Sequence, residues 1–342
     1  MHQTSSYIIV EKRGALGLLT LARPNALNAL DMDMVRVLRA QLQAWATDDT
    51  IATVAIRGEG RSFCAGGDIR AVRQNEQGGS DAGLTFLHDE YHLNALIDEY
   101  PKPFVALLHG IVMGGGAGVS VHGRYRLADP GITFAMPETL IGFIPDVGSS
   151  YFLSRMPDQI GLYLALSGAR VTADDALALG LVTHLVGQGD FTAVIDQLAQ
   201  GASVDAAIAP YVKTPGPSAL IQHRDTIAKY FGAASVDDVL AGLDRDGGDF
   251  ATQAAQTIRA MSPTSVKIVF RQIRDAAQMT LRQCLAMEYR LAARVLREHD
   301  FFEGVRAALV DKDRSPKWKP ASLADVGDVA PYFASLGERE LF

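Results

Sequence analysis

Residues 104–121 read FVALLHGIVMGGGAGVSV: an apolar run, a glycine turn at Gly114-Gly115-Gly116, and small residues on to Val121. The order is strand, glycine turn, helix. The same order stands earlier in the chain, where an apolar strand at 51–56 leads into a glycine-rich loop at 58–67. A repeated unit of this kind argues for an α/β protein whose working loops sit at strand ends.

Working outward, residues 7–10 and 16–21 are β-rich runs separated by Arg13-Gly14, the pattern of a hairpin. After Asp31, a residue type that caps helices, Val35, Leu38, Leu42 and Trp45 recur in steps of three and four, which predicts an amphipathic helix. Further strands are expected at 127–128 and 132–135. Helices are expected at 149–155 and 172–179, with Thr172 and Asp175 in capping-box spacing. Past residue 187 the strands fade, and 201–248, rich in Ala, Gly, Pro and Asp, reads as mixed helix and loop. The remainder is helical to about Lys312. Ser262-Pro263 suits a cap followed by a first-turn proline, and Thr280 with Gln283 and Asp300 with Glu303 suit capping boxes. The expected division is 1–198 as core, 199–260 as a mixed segment and 261–342 as a helical region with its tail.

Composition limits the function. The 342 residues are 48% hydrophobic and 21% charged, enough to bury a full core, and the net charge of -7 gives no basic surface for nucleic acid or an acidic membrane. No uncharged apolar run is long enough to span a bilayer. Cys64 and Cys284 are far apart and lack metal-ligand spacing, so they read as reduced thiols. The N-terminal stretch MHQTSSYIIVEKRG shows neither a secretory core nor a transit-peptide pattern, so a cytoplasmic protein is expected. His88, His92, His109 and His122 show no pairing at ligand or triad spacing and are read as structural.

Two constellations carry chemistry. The turns at Phe63-Cys64-Ala65-Gly66-Gly67-Asp68 and Met113-Gly114-Gly115-Gly116 let a ligand approach the backbone and point free N–H groups at negative charge, so together they could form an oxyanion hole. Tight turns and close packing explain a single such run equally well. Neither fits a P-loop or a dinucleotide fingerprint. The second constellation is residues 136–149, MPETLIGFIPDVGS, where Glu138 and Asp146 are the only acidic residues among apolar and small ones. Low-dielectric surroundings make such carboxyls useful for proton transfer, although each could instead cap a helix.

RSFCAGGDI at 61–69, HGIVMGGGAG at 109–118 and Pro137-Glu138, in that order and spacing, resemble the crotonase (enoyl-CoA hydratase/isomerase) superfamily over about the first 185 residues. The resemblance implies a spiral of ββα units with a C-terminal helical region. It also implies that the N–H groups of Gly67 and Gly115 stabilise an enolate or oxyanion, each donor worth about a hundredfold to a thousandfold in rate. The hydratases carry a second glutamate where this chain has Gly118, and tend to have glycine where it has Asp146. That exchange is similar to the 3-hydroxyisobutyryl-CoA hydrolase branch, as are EY at 90–91 with LN at 93–94, GVSVHG at 118–123, FAMPE at 134–138 and DKDRSPKWKP at 311–320.

Position by position, the resemblance makes Glu138 the nucleophile on a thioester or the base that activates water. Asp146 would contact the 3-hydroxyl or assist proton transfer to the leaving thiolate. Glu90 would line the substrate pocket, unless it lies on a solvated helix face. Backbone around Ala65, Gly66, Asp68, Ile69, Arg70 and Gly114 would hold the adenine and pantetheine of CoA. Arg23, near Leu27, would meet a CoA phosphate. Cys64 is not read as a nucleophile, and Trp318 is expected to pack the tail. CoA enters as part of the substrate, with no separate cofactor and no metal; a trimer or hexamer is implied. The expected reaction is hydrolysis of 3-hydroxyisobutyryl-CoA or 3-hydroxypropionyl-CoA, as in valine degradation. The rivals are another crotonase-type reaction or a non-catalytic acyl-CoA-binding protein.

Overall fold

The computed structural model describes residues 7–342, so the first six residues of the N-terminal stretch lie outside the described residues. The chain divides into two compact units. One comprises Met1–Asp68, Asp89–Phe134 and Val171–Ser218; the other comprises Ile69–His88, Ala135–Arg170 and Ala219–Phe342.

The first unit is built on a six-stranded sheet. Strands β1 (Ile8–Arg13), β2 (Leu16–Leu21), β3 (Thr53–Gly58), β4 (Phe104–Leu108), β6 (Tyr125–Ala128) and β8 (His184–Leu185) lie in the order 1-2-3-4-6-8. Only the β1–β2 pair is antiparallel; the hairpin is where the Arg13-Gly14 break placed it. β2 and β4 are buried along their whole lengths, so they read as continuous apolar runs rather than alternating ones. β5 (Ile111–Met113) and β7 (Thr133–Ala135) make a separate two-stranded sheet. The predicted helix is Met32–Ala46; the Asp31 carboxylate accepts from Met34 N at 2.8 Å, and Val35, Leu38, Leu42 and Trp45 are buried as the stripe requires.

Helices dominate the second unit. Its cap signals are realised at Ser262, which accepts from Ser265 N, and at Thr280 with Gln283, a complete capping box. The Asp300–Glu303 pair is a correction. The helix His299–Val305 has Glu298 at its N-cap with no side-chain cap. Asp300 instead accepts from Ser262 Oγ at 2.6 Å and Lys319 N at 2.7 Å, while Glu303 is taken by Arg306 and Lys317 N. Two tail anchors outcompete a local cap there. Residues 201–248 are also more regular than expected, with helices Val204–Ile208, Arg224–Phe231 and Val236–Asp246, two of them capped by Ser203 and Ser235. Trp318 Nε1 donates to Ala260 O at 3.1 Å and ties down the tail.

Candidate active site

In the first unit the two glycine turns meet. Cys64 N donates to Ile111 O and Met113 N donates to Cys64 O, each at 3.1 Å, which lays one turn beside the other. Gly66 at φ 118 and Gly114 at φ 49 take backbone conformations that glycine alone adopts cheaply. A Cβ placed on Gly115 would lie 3.1 Å from Gly67 N, so a side chain there would intrude on the neighbouring turn. Gly115 opens the short helix Gly115–Gly118, and its N–H precedes any intrahelical acceptor. Leu30 N donates to Gly66 O and Asp68 N to Leu30 O, a pattern that skips Gly67. Among the described residues neither the Gly67 nor the Gly115 amide donates to a protein acceptor.

Glu90 belongs to this unit and is buried, which removes the solvated-face alternative; a Gly115 Cβ would come within 2.5 Å of its Oε1. Burial pushes the Cys64 thiol up to about 12, with the Glu90 charge adding to the rise, so this cysteine stays protonated and inert. Ala65 N donates to Leu27 O at 3.0 Å, with Leu27 in the left-handed region at φ 52. Arg23 pairs with Asp68 at 2.9 Å and donates to Ala29 O at 3.1 Å. Two residues expected to contact CoA thus hold each other. His109, buried, bonds through Nε2 to Gly60 O at 3.0 Å, and burial holds it below the ordinary imidazole range.

In the second unit Glu138 opens the 3-10 turn Glu138–Ile141 and is buried, as is Asp146. Gly142, at φ 67, closes that turn, and Phe143 N donates to Glu138 O at 3.0 Å. Asp146 is not a side-chain cap: the helix Ser149–Leu153 has Gly148 at its N-cap, and Ser149 N reaches the Asp146 main-chain oxygen at 2.8 Å. Ile69 begins the helix Ile69–Gln77, and exposed Arg70 donates to Leu309 O.

The sequence did not lead to Glu288. It lies on the helix Leu281–Val295, completely buried, and accepts hydrogen bonds from Gly148 N at 2.7 Å, Ser150 N at 2.9 Å and Ser150 Oγ at 2.5 Å. Burial pushes its carboxyl up to about 8 against those three bonds, and the Asp146 charge raises it further. Its signal was legible: a charge standing in the apolar stripe of Cys284, Leu285, Leu291 and Ala292. Gln272, also buried, donates through Nε2 to Pro145 O at 2.6 Å. No group of His, Cys, Asp and Glu suited to a metal occurs among the described residues.

A mostly parallel sheet with paired glycine turns at its strand ends, together with buried carboxyls on short turns, defines an α/β protein of the crotonase type. The chain belongs to the enoyl-CoA hydratase/isomerase family, whose model matches residues 16–333. Among its relatives are proteins named 3-hydroxyisobutyryl-CoA hydrolase, mitochondrial. The one from Danio rerio is 42% identical over 99% of this chain and 92% of its own length. The one from Homo sapiens is 42% identical over 98% and 90%. Two crystal structures are similar along the whole chain. One is described as a carnitinyl-CoA dehydratase from Mycobacterium thermoresistibile (TM-score 0.94, 39% identity, 99% of each chain), the other as an enoyl-CoA hydratase from Rhodobacter sphaeroides (TM-score 0.93, 35% identity, 98% of this chain and all of the other).

These names overturn the expectation of a cytoplasmic protein, because the relatives are mitochondrial. The expectation rested on the pattern of the N-terminal stretch together with the reduced thiols, and both cysteines are free. Free thiols mark a reducing compartment without saying which one.

Proposed function

We propose that this protein hydrolyses the thioester of a short 3-hydroxyacyl-CoA, 3-hydroxyisobutyryl-CoA foremost and 3-hydroxypropionyl-CoA next, with valine degradation as the setting. The observation that carries this reading is the pair of uncommitted amides at Gly67 and Gly115, combined with near-full-length similarity to hydrolases of that name. Amides fixed in this way stabilise the negative charge that develops on a thioester carbonyl oxygen, and need no reorganisation as it forms. Glu138 attacks the carbonyl carbon or activates the water that does; the CoA thiolate departs and takes up a proton, and on the first route water then cleaves the acyl–Glu138 anhydride to release the acid and restore the carboxylate. Asp146 reads the 3-hydroxyl or assists that proton transfer. The CoA portion runs along the backbone at 65–70 and Gly114, and in the assembled enzyme three or six copies associate.

The test is release of free CoA from 3-hydroxyisobutyryl-CoA, followed with a thiol reagent across a panel of acyl-CoA esters ranked by kcat/KM. Glu138→Gln is expected to abolish release while CoA affinity is kept; unchanged turnover would dispose of its role. Asp146→Asn is expected to slow 3-hydroxyacyl esters much more than plain acyl ones. Equal slowing would remove the hydroxyl-reading role. Addition of water to an enoyl-CoA is the second reading, favoured by how the two similar crystal structures are described. Gly118 supplies no carboxylate for it, and product that keeps its thioester would decide in its favour.

A further inference from the structure

Asp146 sits on a turn that is closed locally by Ser149 N on its main-chain oxygen and held from outside by two side chains distant in sequence. The following helix, Ser149–Leu153, has glycine at its N-cap and no side-chain cap. Between them Val147 takes φ 54, a left-handed conformation that a β-branched residue keeps only when its surroundings enforce it. Two helices distant in sequence supply that enforcement. Ahead of Asp146, Gln272 holds the Pro145 carbonyl; behind it, the Glu288 carboxyl gathers Gly148 N, Ser150 N and Ser150 Oγ. A carboxyl in an apolar stripe is costly unless its hydrogen bonds are satisfied, and here the satisfying donors all come from this one turn.

We infer that Glu288 is a positioning residue for Asp146, acting as a remote cap that fixes the 146–150 turn in the geometry Asp146 needs. The inference rests on the role proposed for Asp146 above. Gln272 is its counterpart on the other side, and the two bracket the acid by gripping the turn at Pro145 before it and at Gly148 and Ser150 after it.

The experiment uses the full-length protein carrying Glu288→Gln, with Glu288→Asp and Ser150→Ala beside it. Glutamine keeps the size of the side chain but has only one acceptor oxygen, so its nitrogen cannot receive the Gly148 amide. Misplacing a reacting group by a fraction of its contact distance costs about a hundredfold, so kcat on 3-hydroxyisobutyryl-CoA is expected to fall by about that factor in Glu288→Gln. KM changes less than kcat, and the loss on a plain acyl-CoA is smaller, matching the selectivity signature of Asp146→Asn. Amide hydrogen exchange at Gly148 and Ser150 rises. Ser150→Ala keeps both amide bonds and loses least; Glu288→Asp, which keeps a carboxyl with two oxygens, recovers part of the rate.

Equal loss on both substrates accompanied by a lower melting temperature would show a purely structural role and overturn the inference, as would unchanged selectivity and unchanged exchange. If the wild-type protein releases no CoA from any ester, the functional reading falls by itself. Exchange at Gly148 and Ser150 then decides the clamp: a rise in Glu288→Gln upholds it, and no change overturns it.

Discussion

At the scale of single residues, the buried Glu288 gives the protein a pH dependence with a definite sign. Its carboxyl ordinarily titrates at 4.5 and is raised to about 8 in the fold, chiefly by burial. Facing it are Gly148 N, Ser150 N and Ser150 Oγ as donors, the Asp146 charge, and the Cys284 thiol one turn earlier, itself under the influence of Arg155. Between those two values the folded chain holds a proton that the unfolded chain has lost, so stability falls as pH rises through that window and levels off above it. Urea midpoints measured across the window should decline in the wild type and decline less steeply in Glu288→Gln. Parallel slopes would mean that Glu288 does not titrate there. The residues quoted for the family resemblance were legible because glycine turns and a Pro-Glu pair are local patterns. Glu288 was not reached: its partners lie some 140 positions earlier, and only its intrusion on an apolar stripe betrayed it.

At the scale of elements, the 3-10 turn that carries Glu138 depends on Gly142. Its φ is 67, and a Cβ there would stand 2.2 Å from the Asp300 carbonyl oxygen. Gly142→Ala should therefore cost about 2 kcal/mol or more, the left-handed penalty plus overpacking, and should lower turnover because the displaced turn starts with Glu138. Urea denaturation and kcat measured on the same preparation check both effects; a stable, fully active variant would contradict the geometry. Elements were readable wherever a local signal was strong. Asp31, Thr172, Ser262 and Thr280 all cap as their spacing predicted. The Asp300–Glu303 pair had the right spacing and went elsewhere, because Ser262 and the 317–319 tail offered both carboxylates better partners. The helices within 201–248 were obscured by short lengths and Ala-, Gly- and Asp-rich composition, although Val236, Val239, Leu240 and Leu243 do form a buried stripe.

At the scale of the whole molecule, each unit contains one cysteine, Cys64 in the first and Cys284 in the second, both buried and both raised to about 12 by burial. Because the thiolate is the reactive form, the folded protein should resist thiol reagents, and each cysteine should label only as its own unit opens. Mass spectrometry of the labelled peptides at increasing urea reads the two transitions separately; rapid labelling of the native protein would contradict the burial. The same protection keeps a thiol-based measurement of released CoA free of background from the enzyme. The order of the chain has a consequence for synthesis as well. Each unit is assembled from three separated stretches, and the last strand of the first unit's sheet is His184–Leu185. A ribosome must therefore extrude more than half of the polypeptide before that sheet can close, and the Glu288 clamp later still. Through that interval the nascent chain has to carry β6 with one edge unpaired, open to mispairing until His184–Leu185 arrives to cover it.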